Sequence, residues 1–114
     1  MNPDEFVTAV LTDDLTARQL VKDAKREGFK WSQAPALESG SPKERAVYAS
    51  VVELLAQRNG EPFPAWTHDV GRAPEPVHLM GTGSNTLKRR FEASAPTVLK
   101  ARNVYAGPDY LDVL

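Results

Sequence analysis

Four prolines within residues 61–83 constrain the fold of this chain more than any other feature. Pro62, Pro64, Pro74 and Pro76 lack a backbone N–H and hold φ near about −65°, so no long helix can pass through them and central-strand pairing is disfavoured. The stretch is nevertheless too apolar for a free linker, since it also contains Phe63, Trp66, Val70, Val77, Leu79 and Met80. We predict an extended, partly polyproline-like strap packed across a core, with Phe63 and Trp66 in or beside that core.

The clearest helix signal lies before the strap. In Ser41-Pro42-Lys43-Glu44, the serine takes the N-cap position, proline the first helical position and glutamate the third, so Ser41 and Glu44 can satisfy each other's free backbone donors. An apolar stripe follows, and Asn59-Gly60 supplies the left-handed residue that ends a helix. The pattern predicts a helix over most of residues 41–60.

Two further helices are predicted before residue 28. Asn2 or one of its neighbours is expected to cap the first, with Pro3 in its first turn. The second begins between Thr12 and Thr16 and runs to Glu27, where Gly28 stops it. Its apolar spacing predicts four inward side chains, namely Leu15, Leu20, Val21 and Ala24.

Helical spacing returns after residue 84. A break is expected at Ser94-Ala95-Pro96, with Ser94 capping the second part, and an extended exit is expected at Val104 and Tyr105. Residues 108–114 form either a last helical turn or a free tail. The whole chain, residues 1–114, is predicted to be a mainly α single domain of four to six helices, with helices in residues 1–60, the strap in 61–83, and helices and a tail in 84–114.

Composition excludes several classes of protein. The chain has no cysteine, which excludes disulfides, thiolate zinc sites and cysteine nucleophiles. The first five residues are acidic where a signal peptide would be basic, and no apolar run approaches the roughly 20 residues that span a bilayer. We therefore expect a bacterial-type cytoplasmic protein that does not enter the membrane.

Few residues are candidates for catalysis or metal binding. His68 and His78, with Asp69 and Glu75 beside them, could form an acid–base or metal site, but their spacing matches no known motif, and surface or packing roles are the alternative. The loop at residues 81–85, Gly-Thr-Gly-Ser-Asn, could face a phosphate, but it lacks the glycine spacing of a nucleotide fingerprint. We predict no catalytic residue, no metal and no cofactor.

Charge is distributed unevenly along a chain whose net charge is −1. Residues 85–105 contain 5 basic and 1 acidic side chain. This local excess, together with the amide and aromatic side chains at the end of the segment, is typical of a protein-binding hot spot. The predicted partner-binding residues are Arg89, Arg90, Arg102, Asn103 and Tyr105. The alternative is a small DNA- or RNA-binding regulator that uses the basic segment from Lys88 to Arg102.

Four pieces of the second half of the chain carry a resemblance to a known group. They are Glu-Pro-Phe-Pro-Ala-Trp-Thr at residues 61–67, Pro-Glu-Pro-Val at 74–77, the segment from Leu87 to the Ser-Ala-Pro at 94–96, and Lys-Ala-Arg-Asn-Val-Tyr at 100–105. In this order they resemble the C-terminal half of small, mostly uncharacterised bacterial proteins, some of which look like antitoxins or companions encoded beside a nucleotidyltransferase-like partner. The resemblance implies a non-enzymatic, antitoxin-like neutraliser of a toxin of nucleotidyltransferase type, and it transfers no catalytic residue.

Overall fold

The structure is a computed structural model that describes residues 1–79 and 85–112. These residues contain five α-helices. They are α1 (Pro3–Thr12), α2 (Asp14–Arg26), α3 (Pro42–Arg58), α4 (Asn85–Ser94) and α5 (Thr97–Lys100). Two strands of two residues each, β1 (Val77–His78) and β2 (Val104–Tyr105), pair in parallel, with Val77 opposite Val104. The predicted mainly α fold of four to six helices is confirmed.

Helix α3 is the centre of the fold, and residues 46–56 are all buried. Its start is the predicted capping box: the Glu44 backbone N–H donates to Ser41 Oγ (3.1 Å), and the Ser41 N–H donates to Glu44 Oε1 (3.0 Å). The hydrogen bonds that the backbone N–H and the side chain of Ser41 make to the Glu44 carboxylate hold the pKa of Glu44 below its usual value. Gly60, at φ 69°, follows the C-cap residue Asn59 as predicted.

Helix α2 differs from its prediction at one apolar residue. Asp13 caps the helix, accepting hydrogen bonds from the Thr16 backbone N–H (3.2 Å) and hydroxyl (2.7 Å). Ala17 and Val21 then face the core, and since a helix turns about 100° per residue, residue 15 lies on the opposite side. The predicted inward position of Leu15 is wrong, because this side chain is 79% exposed.

Residues 61–79 of the strap cross the helical core as predicted. The indole of Trp66 stacks on Tyr48, with ring centroids 5.4 Å apart, and its Nε1–H donates to the carbonyl of Ala34 (2.8 Å). Phe63 is also packed against the core. Besides extended backbone, the strap contains a short 3-10 helix at Ala65–Asp69 and the strand β1. The predicted positions of Phe63 and Trp66 are confirmed.

The last part of the chain turns back onto α2 and α3. The predicted break between α4 and α5 is confirmed, but Ser94 does not cap α5, because its hydroxyl donates to the carbonyl of Arg90 (2.8 Å). Tyr110 and Leu111 are each 1% exposed, and Arg58 donates hydrogen bonds to the carbonyls of Pro108 and Tyr110. Residues 108–112 therefore form a turn that packs on the rest of the fold, and not a free tail.

Replacing Trp66 tests how firmly the strap is held. Trp66→Ala removes the stack on Tyr48 and the hydrogen bond to Ala34, and we expect the free energy of unfolding to fall by about 3 kcal/mol. Trp66→Phe keeps an aromatic ring and loses the hydrogen bond, so a loss of about 1 kcal/mol is expected. Urea denaturation measures both variants. A loss below about 0.5 kcal/mol for Trp66→Ala would mean that the strap is not docked.

Candidate protein-interaction surface

Arg102, one of the predicted partner-binding residues, lies inside the fold. Its Nη1 pairs with the carboxylate of Glu53 on α3, its Nη2 donates to the carbonyl of Thr67 (2.6 Å), and its Nε donates to that of Val70 (3.4 Å). The two paired side chains are only 11% and 7% exposed. Arg102 thus joins the segment between α5 and β2 to α3 and to the strap. Because its guanidinium group is buried in these contacts, a partner cannot reach it.

Asn103 and Tyr105 form a hydrogen-bonded pair at the strand exit. Asn103 has the left-handed φ of 64°, consistent with the cap role that its position suggests. Its Nδ2 donates to the carbonyl of Ala73 (3.3 Å), and its Oδ1 accepts from the Tyr105 hydroxyl (2.9 Å). Both residues are half-buried, so their polar groups are largely used within the fold.

His78 connects this pair to α4. Its ring stacks on Tyr105, with centroids 5.5 Å apart and planes 27° from parallel, and its Nε2 lies 2.8 Å from Glu92 Oε1. The His78 side chain is 18% exposed and that of Glu92 45%. This cluster therefore fixes the position of α4 from the rim of the two-stranded sheet.

Helix α4 carries the two remaining predicted residues. Arg89 and Arg90 are exposed, and no ion pair joins either of them to another residue within the described ranges 1–79 and 85–112. The ten-residue helix has no buried residue. Besides Glu92, its attachments include Phe91, whose ring lies against Gly107, and the carbonyl of Ala93, which accepts from Lys100 Nζ (2.7 Å).

The other sequence candidates do not assemble into a site. His68, Asp69 and Glu75 are exposed, and His78 takes the distant Glu92 as its carboxylate partner. Across the described part of the chain, no group of three or more histidine, aspartate or glutamate side chains is placed to hold a metal ion. The loop at residues 81–84 lies outside the described residues. Glu92 was missed because no local pattern connects it to a histidine 14 residues earlier.

The chain was also compared with known proteins. Neither a known protein family, nor a characterised protein, nor a solved structure matches it. Within residues 1–79 and 85–112, no helix is both long and apolar enough to cross a membrane. The assignment of a function therefore depends on the surface itself and on the sequence resemblance.

The buried ion pair provides a test of the role of Arg102. Arg102→Met leaves the carboxylate of Glu53 buried without its partner, and we expect the free energy of unfolding to fall by about 3–5 kcal/mol. Replacing both residues by Met should cost clearly less than the sum of the two single changes. Arg72→Met, at an exposed position of the strap, is the control and should change stability by no more than about 0.5 kcal/mol. If Arg72→Met and Arg102→Met lowered the free energy of unfolding by the same small amount, Arg102 would not hold the strap to α3.

The attachment of α4 can be tested without disturbing the sheet. His78→Phe keeps a ring to stack on Tyr105 but removes the hydrogen bond to Glu92. We expect faster amide hydrogen exchange in α4 and unchanged exchange in α3, because one of the contacts that hold α4 is lost. Exchange followed by mass spectrometry distinguishes the two helices. Unchanged exchange in α4 would show that Glu92 does not hold it.

Proposed function

We propose that this protein is a non-enzymatic interaction module, an antitoxin-like neutraliser that binds an acidic surface of a partner protein through α4. The observation that carries the proposal is that α4 has ten residues, none of them buried, and presents Arg89 and Arg90 to solvent. The resemblance of the C-terminal half to antitoxin-like proteins supports the same function. It also points to a toxin of nucleotidyltransferase type as the partner.

Physical chemistry favours a partner on this helix. An isolated helix of ten residues is marginal in water, and most helical stability in proteins comes from packing one face. The contacts that hold α4 include those of Phe91, Glu92 and Ala93. They leave Leu87, Lys88 and Phe91 half-buried and bury no residue of the helix fully. A protein that covers α4 would supply the missing burial. Arginine is enriched at interface hot spots, and an acidic surface complements its charge.

The residues at the strand exit have a positioning role in this proposal. Asn103, Tyr105 and His78 link the sheet to Glu92 by hydrogen bonds and ring stacking. Holding α4 in one orientation before binding lowers the entropic cost of association. Arg102 contributes only through the stability of the fold, because its guanidinium group is used internally.

A nucleic-acid contact by the segment from Lys88 to Arg102 has less support. Arg102 pairs with Glu53, and Lys100 donates to a carbonyl of α4, so three cations of the segment remain, at residues 88–90. Surfaces that bind nucleic acid usually carry a larger excess of basic residues than these three. We therefore retain a protein partner as the proposed function.

Titration calorimetry with the product of the neighbouring gene tests the proposal. Arg89→Gln/Arg90→Gln removes two exposed charges without a packing change, and we expect the affinity to fall about 10- to 100-fold. Co-expression should show the matching loss of neutralisation of that partner. The matched control is Lys22→Gln/Lys25→Gln on α2, which should bind like the wild type. Unchanged affinity of the α4 variant, or no complex with the wild type, would refute the proposal.

A further inference from the structure

Residues 108–112, the turn that packs on the rest of the fold, have their polar attachment from a single side chain. The guanidinium group of Arg58, the last residue of α3, donates to the carbonyls of Pro108 (3.2 Å) and Tyr110. Within residues 1–79 and 85–112, the other hydrogen bonds of this turn are local ones between backbone groups. The turn is therefore held by Arg58 and by the burial of its apolar side chains.

Three features of the docked turn oppose this attachment. Leu111 has the left-handed φ of 56°, which a residue with a Cβ rarely adopts. The hydroxyl of Tyr110 is buried and has no hydrogen-bond partner among the residues that the structure describes. Oδ1 of Asp14, at the start of α2, is buried and unpartnered in the same way. Because a buried polar group without a partner loses its hydrogen bonds to water, these features favour release of the turn.

The two unpartnered groups belong to one cluster. Burial and, after it, the charge of Asp14 raise the pKa of Tyr110, so the hydroxyl stays protonated near the carboxylate. The other carboxylate oxygen of Asp14, Oδ2, accepts from Arg18 Nε (2.9 Å). Within the described ranges, the polar end of Tyr110 thus adds no hydrogen bond to the attachment of the turn, and its ring docks by burial alone.

The base of the turn contacts α4. A methyl group placed at Gly107 would lie 3.4 Å from Cε1 of Phe91 and 3.3 Å from Oδ1 of Asp109, so the ring of Phe91 rests directly against the glycine backbone. Helix α4 has no fully buried residue, and its position depends on such side-chain contacts. A change in the backbone that supports Phe91 is therefore transmitted to α4.

We propose that residues 107–112 form a latch that regulates the interaction surface on α4. While the turn is docked, Gly107 supports Phe91, and α4 presents Arg89 and Arg90 in one orientation. When the turn is released, Phe91 loses this support, and only the remaining contacts hold α4. Docking of the turn and binding of a partner to α4 then favour each other by the same factor. The effect on binding rests on the proposed function, whereas the coupling between the turn and α4 is a property of the free protein.

Amide hydrogen exchange followed by mass spectrometry tests the latch in the free protein. Arg58→Gln removes both hydrogen bonds to the turn, and we expect about tenfold faster exchange in residues 107–112, together with faster exchange in α4. Tyr110→Phe removes a buried hydroxyl that has no partner in the described part of the chain, so exchange in both segments should slow. Exchange in the centre of α3 shows that each variant remains folded.

The matched control is Arg45→Gln. Arg45 also lies on α3 and donates to a backbone carbonyl, that of Glu38 (3.0 Å), but at the other end of the helix. This variant should leave exchange in residues 107–112 and in α4 unchanged. The inference is overturned if Arg58→Gln leaves exchange in the turn unchanged, if it accelerates the turn and leaves α4 unchanged, or if Tyr110→Phe loosens the turn.

Phe91→Ala tests the route between the turn and α4. This variant removes the ring that rests on Gly107, so adding Arg58→Gln to it should accelerate exchange in the turn without a further effect on α4. An equal acceleration of α4 by Arg58→Gln with and without Phe91 would overturn the inference.

The partner of the proposed function supplies the last measurement. At a saturating concentration of this partner, exchange in residues 108–112 should slow in the wild type and stay unchanged in Phe91→Ala, because the coupling is reciprocal. A complex that forms without slowing this exchange in the wild type would overturn the inference. If no complex forms, the proposed function fails, and the variants of the free protein still decide whether the turn is coupled to α4.

Discussion

The ion pair between Arg102 and Glu53 is the interaction on which the rest of the structure depends. Glu53 lies on the central helix α3, and the guanidinium group of Arg102 also binds the carbonyls of Thr67 and Val70 in the strap. A proline-rich strap has few donors of its own, so a side chain that brings several donors to its carbonyls is an effective way to hold it. The backbone of Arg102 adds a further bond, because its carbonyl accepts from the N–H of Ala73 (2.9 Å).

The parallel pairing of β1 and β2 follows from this attachment. Arg102 holds the strap beside the segment that follows α5. Next to it, the Val77 N–H donates to the carbonyl of Asn103, and the Leu79 N–H donates to the carbonyl of Tyr105. His78, between them, then faces Tyr105 and reaches Glu92 on α4. The position of the exposed helix is thus set by a chain of contacts that begins at the buried ion pair.

The exposed arginines of α2 and α4 differ in whether they are already paired. Helix α4 presents Arg89 and Arg90, and neither has an ion pair within the described residues. On α2, in contrast, Arg18 pairs with Asp14 and Arg26 with Asp23. The arginines of α4 are therefore the ones that a partner can contact without breaking an ion pair.

The sequence by itself determined the local structure: caps at Asn2 and Ser41, the stop at Gly60, the break before Pro96, and a proline segment that must be a strap. These depend on neighbours within about four residues, so the pattern predicts them. Only the tertiary structure decided which charged side chains remain available to a partner. Arg102 and Glu53 are 49 residues apart in the chain, and no local pattern records their contact. Packing therefore buried Arg102, exposed Leu15 and left Arg89 and Arg90 at the surface.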